Sequence, residues 1–116
     1  MAAAKKGSLV PRPAKKSEYE IRIATAAAQK GWQDLVAPVR NPMTEVWDFL
    51  TRSPHLRTPT NYPLKGELAT IRCGGSTHER WQHKPTAQGG ARIWYYVEGR
   101  TVYLEQVHTS HPNETK

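Results

Sequence analysis

No stretch of this 116-residue chain stays apolar for more than a few residues, which excludes a membrane-crossing helix of about 20 residues. Cysteine is nearly absent. Cys73 stands alone, so no internal disulfide can form and the chain suits a reducing compartment, with the cytoplasm as the expectation. The basic N-terminus also lacks the apolar core of a secretory signal. Acids are scarce: ten Asp and Glu stand against 17 Lys and Arg, a formal net charge of +7. Such an excess suits a surface that meets phosphates or an acidic protein; the plainer alternative is that it keeps a small domain soluble. Also missing are a Gly-rich phosphate loop, a Ser-His-Asp pattern and a pair of acids near the basic segments. Catalysis, if the chain performs any, must rest on Lys, Arg, His and Tyr.

What is present supports a compact core rather than disorder, since 37% of the residues are hydrophobic and four Trp, five Tyr and one Phe are among them. The length fits one domain, placed at residues 18–116 behind a flexible basic arm at 1–17. That arm carries Lys5, Lys6, Arg12, Lys15 and Lys16 ahead of the first acid, Glu18. It reads either as a tail that attracts nucleic acid or as an inert extension. Positive charge returns over residues 52–100, where eight bases meet three acids.

Tyr19, Ile21 and Ile23 alternate with Glu20 and Arg22, which predicts a short half-buried strand. Thr25 can cap a helix whose apolar stripe is Trp32, Leu35, Val36 and Val39, and Pro38 should end or kink it. Asn41-Pro42 predicts a second start, followed by the stripe Met43, Val46, Phe49 and Leu50, with Ser53-Pro54 as the stop. Residues 54–66 read as a loop. Beyond it the period becomes two, with strands predicted at 68–72, 78–84, 91–97 and 101–104, separated by glycine-containing turns. The order implies an α+β fold in which two N-terminal helices pack on one face of a small antiparallel sheet.

A two-residue Glu98-Gly99 turn would set Tyr95 opposite Val102 and Ile93 opposite Leu104, an apolar face for the helices. The other face would pair Arg92 with Glu105, Trp94 with Tyr103 and Tyr96 with Thr101. Arg80 and Lys84 share one parity on their strand, and Arg92, Trp94 and Tyr96 share one on the next. Cations for phosphate beside rings for unpaired bases are what single-stranded RNA recognition needs. Each residue has a plainer reading: Arg92 as a cross-strand ion pair with Glu105, or Trp94 as a ring covered by the 54–66 loop. Cys73, His78 and His83 do not suggest a metal site, because residues five apart on a strand point to opposite faces.

The order of these elements, Pro63-Leu64-Lys65-Gly66 after the helix pair, the basic strand His78–Lys84, the strand Ala91–Tyr95 and the ending at His111-Pro112 together resemble the RelE/ParE superfamily of bacterial toxins. The resemblance spans about residues 18–112. It implies a toxin of a toxin–antitoxin system that cuts mRNA in the ribosomal A site and is neutralised by a cognate antitoxin, with no cofactor, metal or membrane. Cutting by 2′-hydroxyl attack requires a base, a cation for the phosphorane and an acid for the leaving oxygen. Matched to the family's motif, Lys65, Arg80, Arg92 and His111 fall at catalytic positions, with His108 competing for the last; Lys84, Trp94, Tyr96, Tyr103 and His108 are expected to hold RNA. Some members carry a glutamate before Pro-Leu-Lys where this chain has Tyr62, so Tyr62, Lys65 or a histidine would have to serve as base, with Glu105 orienting Arg92. A gyrase inhibitor of the same superfamily without nuclease activity, and a non-catalytic RNA-binding module, are the alternatives.

Overall fold

A computed structural model describes residues 6–10, 13 and 15–110. Lys5 and Arg12 of the basic arm, and the candidate His111, lie outside the described residues. The first strand, β1 (Glu20–Ile23), leads into helix α1 (Ala26–Val36), helix α2 (Arg40–Arg52) and a short strand β2 (Asn61–Pro63). A 3₁₀ turn at Gly66–Leu68 precedes strands β3 (Thr70–Cys73), β4 (Ser76–Glu79), β5 (Trp81–His83), β6 (Arg92–Glu98) and β7 (Thr101–His108). No helix among the described residues is long and apolar enough to cross a membrane.

Thr25 caps α1 as expected, its hydroxyl oxygen accepting from the Ala28 N–H at 3.0 Å while donating to the Glu105 carbonyl at 2.8 Å. The cap therefore also ties the helix start to β7. Helix α2 differs in detail: Val39 is its N-cap and Asn41 lies inside it. Pro42 consequently occupies the first turn, where its missing N–H would have had no helical partner. Arg52 is the last helical residue, ahead of Ser53-Pro54.

Five strands form a sheet in the order β1-β7-β6-β5-β2, and β3 pairs with β4 as a separate hairpin. The fold is α+β with both helices on one sheet face, but the sheet is mixed, because β1 runs parallel to β7 with Ile21 opposite Val102. Helix residues Ala28, Leu35, Met43, Val46 and Leu50 meet Trp81, Ile93, Tyr95, Val102, Leu104 and Val107 in the core. Gly31 lets α1 approach β7 closely, since a Cβ there would collide with the Val107 carbonyl and lie 2.9 Å from the Val107 Cβ. Any larger residue at position 31 would force helix and sheet apart.

The last hairpin turns one residue later than expected. Glu98 faces Thr101, so Gly99-Arg100 is the turn, with Gly99 at φ +60° in the position where a type II′ turn demands it. A bulge between Trp94 and Tyr95 then slides the register again, placing Trp94 opposite Gln106 and Arg92 opposite His108. The expected pairs Arg92 with Glu105, Trp94 with Tyr103 and Tyr96 with Thr101 are thus replaced, as are Tyr95 with Val102 and Ile93 with Leu104: Tyr95 faces Leu104 and Ile93 faces Val107. Facing survives, with Tyr95, Ile93, Val102 and Leu104 toward the helices. The segment expected as one strand over 78–84 is divided at Arg80, a corner between β4 and β5.

Candidate functional site

On the sheet face opposite the helices, Tyr62, Gln82, Trp94 and Gln106 align as neighbours across β2, β5, β6 and β7. Gln82 binds both flanking rings: its Nε2 donates to the Tyr62 hydroxyl at 2.8 Å, and its Oε1 accepts from Trp94 Nε1 at 2.9 Å. Lys84 extends over the Tyr62 ring, its Nζ 5.6 Å from the centroid. Sequence reasoning passed over Gln82, although its place between Arg80 and Lys84 at the same parity was a usable signal.

The two rings proposed as stacking platforms are enclosed. Trp94 is 2% exposed and Tyr96 4%. Arg80 covers Trp94 with its guanidinium carbon 5.4 Å from the ring centroid, and His108 packs edge-on at 4.9 Å. Tyr96 is sandwiched between His78 at 4.9 Å and Tyr103 at 5.2 Å, and Cys73 Sγ lies 3.2 Å from its hydroxyl. Burial first, and then the nearby thiol, push the Tyr96 hydroxyl pKa upward. The β3–β4 hairpin thus occupies this part of the face itself, and neither Trp94 nor Tyr96 offers an open side to a base.

The arginines are likewise engaged internally. Arg92 is 7% exposed and donates through one terminal nitrogen to the carbonyls of Gly89 and Ala91, at 2.7 and 2.8 Å. Glu105 does not orient it. The Glu105 carboxylate instead takes Arg80 in a fork, Nε to Oε1 at 2.8 Å and Nη2 to Oε2 at 2.7 Å, with the Arg80 and Glu105 side chains only 12% and 9% exposed. A third donor of Arg80 reaches the Leu68 carbonyl at 3.4 Å. These bonds satisfy Arg80 as a structural cation at the corner between the two sheets.

Lys65 is exposed and lies elsewhere, at the open edge of the sheet beside β2. There Arg57, Tyr62, Pro63, Leu64, Lys65 and Glu79 line a groove of about 480 Å³. The structure therefore brings Tyr62 and Lys65 into one groove, sets Lys84 outside it over the Tyr62 ring, and places Arg80, Arg92, Trp94 and Tyr96 within the packed body. Tyr103 and His108 are half-buried against Tyr96 and Trp94. Arg57 and Glu79 were not anticipated. Both contact Trp81: the Arg57 guanidinium carbon is 5.9 Å from its ring, and the indole N–H donates to Glu79 Oε1 at 3.0 Å. Nothing local in sequence marks them, because the groove joins segments far apart in the chain.

A buried polar cluster adjoins the groove along the chain, Asn61 preceding Tyr62 and its partner Leu56 preceding Arg57. Asn61, fully buried, donates through Nδ2 to the carbonyls of Leu56 at 2.8 Å and Pro54 at 3.2 Å. Its Oδ1 lies 2.6 Å from the Tyr95 hydroxyl and 3.1 Å from His83 Nδ1. Since a carboxamide oxygen only accepts, His83 carries its proton on Nδ1. Burial lowers the His83 pKa from 6.5 to about 4, so the folded protein holds it neutral while the unfolded chain protonates near 6.5. Below that point the unfolded state binds more protons, and stability falls as pH drops toward the folded value. Between pH 7 and pH 5 this group is expected to remove about 2 kcal/mol of unfolding free energy. Urea melts should show that loss in the wild type and much less of it in His83→Gln.

His83 is on the helix side of the sheet, whereas Cys73 and His78 lie by Tyr96 on the other side. Among the described residues no three His, Cys, Asp or Glu side chains are grouped to hold a metal ion.

No protein-family model matches the chain, and no curated protein is significantly similar to it. Among solved structures it is similar to a copper-bound mutant toxin from Helicobacter pylori, with a TM-score of 0.57 and 16% identity, over 80% of this chain and 94% of that one. At that identity the likeness is one of fold.

Proposed function

We propose that the protein is a toxin of the RelE/ParE kind, an endoribonuclease that cuts mRNA in the ribosomal A site and is held inactive by a cognate antitoxin covering its basic surface. The reading places it in the cytoplasm. One observation carries it: on a fold shared with a bacterial toxin, the exposed cations Lys65 and Arg57 flank a groove that also holds Tyr62 and a carboxylate. Phosphates of extended RNA suit such cations, and the groove lies on an open sheet edge where a strand of nucleic acid has access. The chemistry is 2′-hydroxyl attack on the adjacent phosphate, which needs no metal. Purified protein added to ribosomes programmed with a defined mRNA is expected to give discrete new 3′ ends within the A-site codon. Intact mRNA in the presence of folded protein would refute the ribonuclease reading. The internal engagement of Arg80 and Arg92 favours a second reading, in which the fold inhibits gyrase without cutting RNA. Inhibited supercoiling together with intact mRNA would select that alternative.

A further inference from the structure

The ribonuclease reading leaves the proton acceptor unassigned, since Tyr62 stands where a glutamate would be expected. Three acids of the C-terminal half are committed or placed elsewhere. Glu105 is held by both ends of its carboxylate on Arg80, and neither Glu98, whose Oε2 lies 3.2 Å from His78 Nε2, nor Glu67 is among the groove's lining residues. Among the described acids of the C-terminal half, Glu79 alone lines the groove with Lys65 and Arg57.

Its setting suits proton abstraction. The last residue of β4 points to the same side as Trp81, and the indole N–H fixes one carboxylate oxygen at 3.0 Å. One donor on Oε1 holds the carboxylate against the wall and leaves Oε2 as the basic atom. The side chain is exposed to solvent, and so to a ligand, and its neighbours in the groove include two cations that would draw a phosphodiester to it. A base must come within hydrogen-bond reach of the proton it takes, and a short carboxylate on a sheet edge beside phosphate-binding cations meets that requirement better than a phenol already accepting from Gln82.

We infer that Glu79 is the general base of the groove, an assignment that rests on the ribonuclease reading above. The Glu79 carboxylate takes the 2′-hydroxyl proton as the O2′–P bond forms. Arg57 stabilises the charge on the phosphorane. The P–O5′ bond then breaks, and the departing 5′-oxygen takes a proton from the Lys65 ammonium. The products are a 2′,3′-cyclic phosphate and a 5′-hydroxyl, with no oxidant or reductant consumed.

The test compares full-length wild type with Glu79→Gln on programmed ribosomes, following both cleavage and co-sedimentation. Glutamine retains an oxygen for the Trp81 indole, and an unchanged thermal midpoint checks that the groove is intact. The expected result is cleavage slower by about 100-fold or more with ribosome binding retained. A variant that cuts within about threefold of wild type overturns the base assignment and leaves the ribonuclease reading standing. Loss of ribosome binding in the variant also overturns it, making Glu79 a docking residue. Absence of cleavage by the wild type itself overturns the ribonuclease reading and the base with it.

Discussion

Asn61→Ala is expected to lower the unfolding free energy by about 4 kcal/mol, seen as a lower denaturation midpoint in urea at unchanged slope. The side chain is fully buried, and its two donors and one acceptor serve four groups: the carbonyls of Pro54 and Leu56, the Tyr95 hydroxyl and His83. Truncation strands several of these at once, and each buried polar group left without a partner costs about 1–3 kcal/mol. The Pro54 carbonyl also receives the Tyr95 hydroxyl at 2.7 Å, which offsets part of the loss there. Asn61→Asp separates hydrogen bonding from volume. It is nearly isosteric, yet it removes both donors and turns a carboxylate toward two carbonyl oxygens, so it should destabilise at least as much as alanine. Because Asn61 holds the chain at both Pro54 and Leu56, it also sets where Arg57 emerges beside the groove. An Asp variant as stable as the wild type would show that the cluster is not what fastens this segment.

The elements with local signals were legible in the sequence. Thr25 as a cap, the apolar stripe of the second helix, that of the first apart from Val39, which instead caps the second, the stop before Pro54 and the alternation along Ile93–Val97 all followed from spacing and side-chain chemistry. Strand β2 did not. Three residues with a proline fall below any period-two pattern, and Pro63 is tolerated because β2 is an edge strand. The parallel partnership of β1 with β7 was also invisible, since it joins residues some eighty positions apart through core packing rather than a turn. For the candidate site, parity assigned Arg80, Trp94 and Tyr96 to the same side but could not show that the β3–β4 hairpin and Arg80 would close over the rings. The edge groove is harder still, because Arg57, Lys65 and Glu79 come from three segments whose meeting depends on Asn61 and the corner at Arg80.

That corner supports the second large effect. Arg80→Ala is expected to cost about 3–5 kcal/mol, because it leaves the Glu105 carboxylate, 9% exposed, without its forked partner. Position explains the commitment of the pair. The Arg80 N–H donates to the Ala69 carbonyl at 2.9 Å and its carbonyl accepts from Leu64 at 2.9 Å, so the backbone there joins the segment around the 3₁₀ turn to both sheets. The side chain adds the Leu68 carbonyl and the face of Trp94. If this attraction is what matters, Arg80→Met combined with Glu105→Leu should recover much of what either single change loses, since removing both charges removes the stranded one. Chemical denaturation of the two single variants and the double variant closes that cycle. Additive losses would show that Arg80 acts through its contacts with Leu68 and Trp94 alone. Strong coupling would identify the ion pair as the fastening that holds the basic corner closed over Trp94, and would explain why so exposed a sequence signal as Glu-Arg-Trp leads to an arginine turned inward.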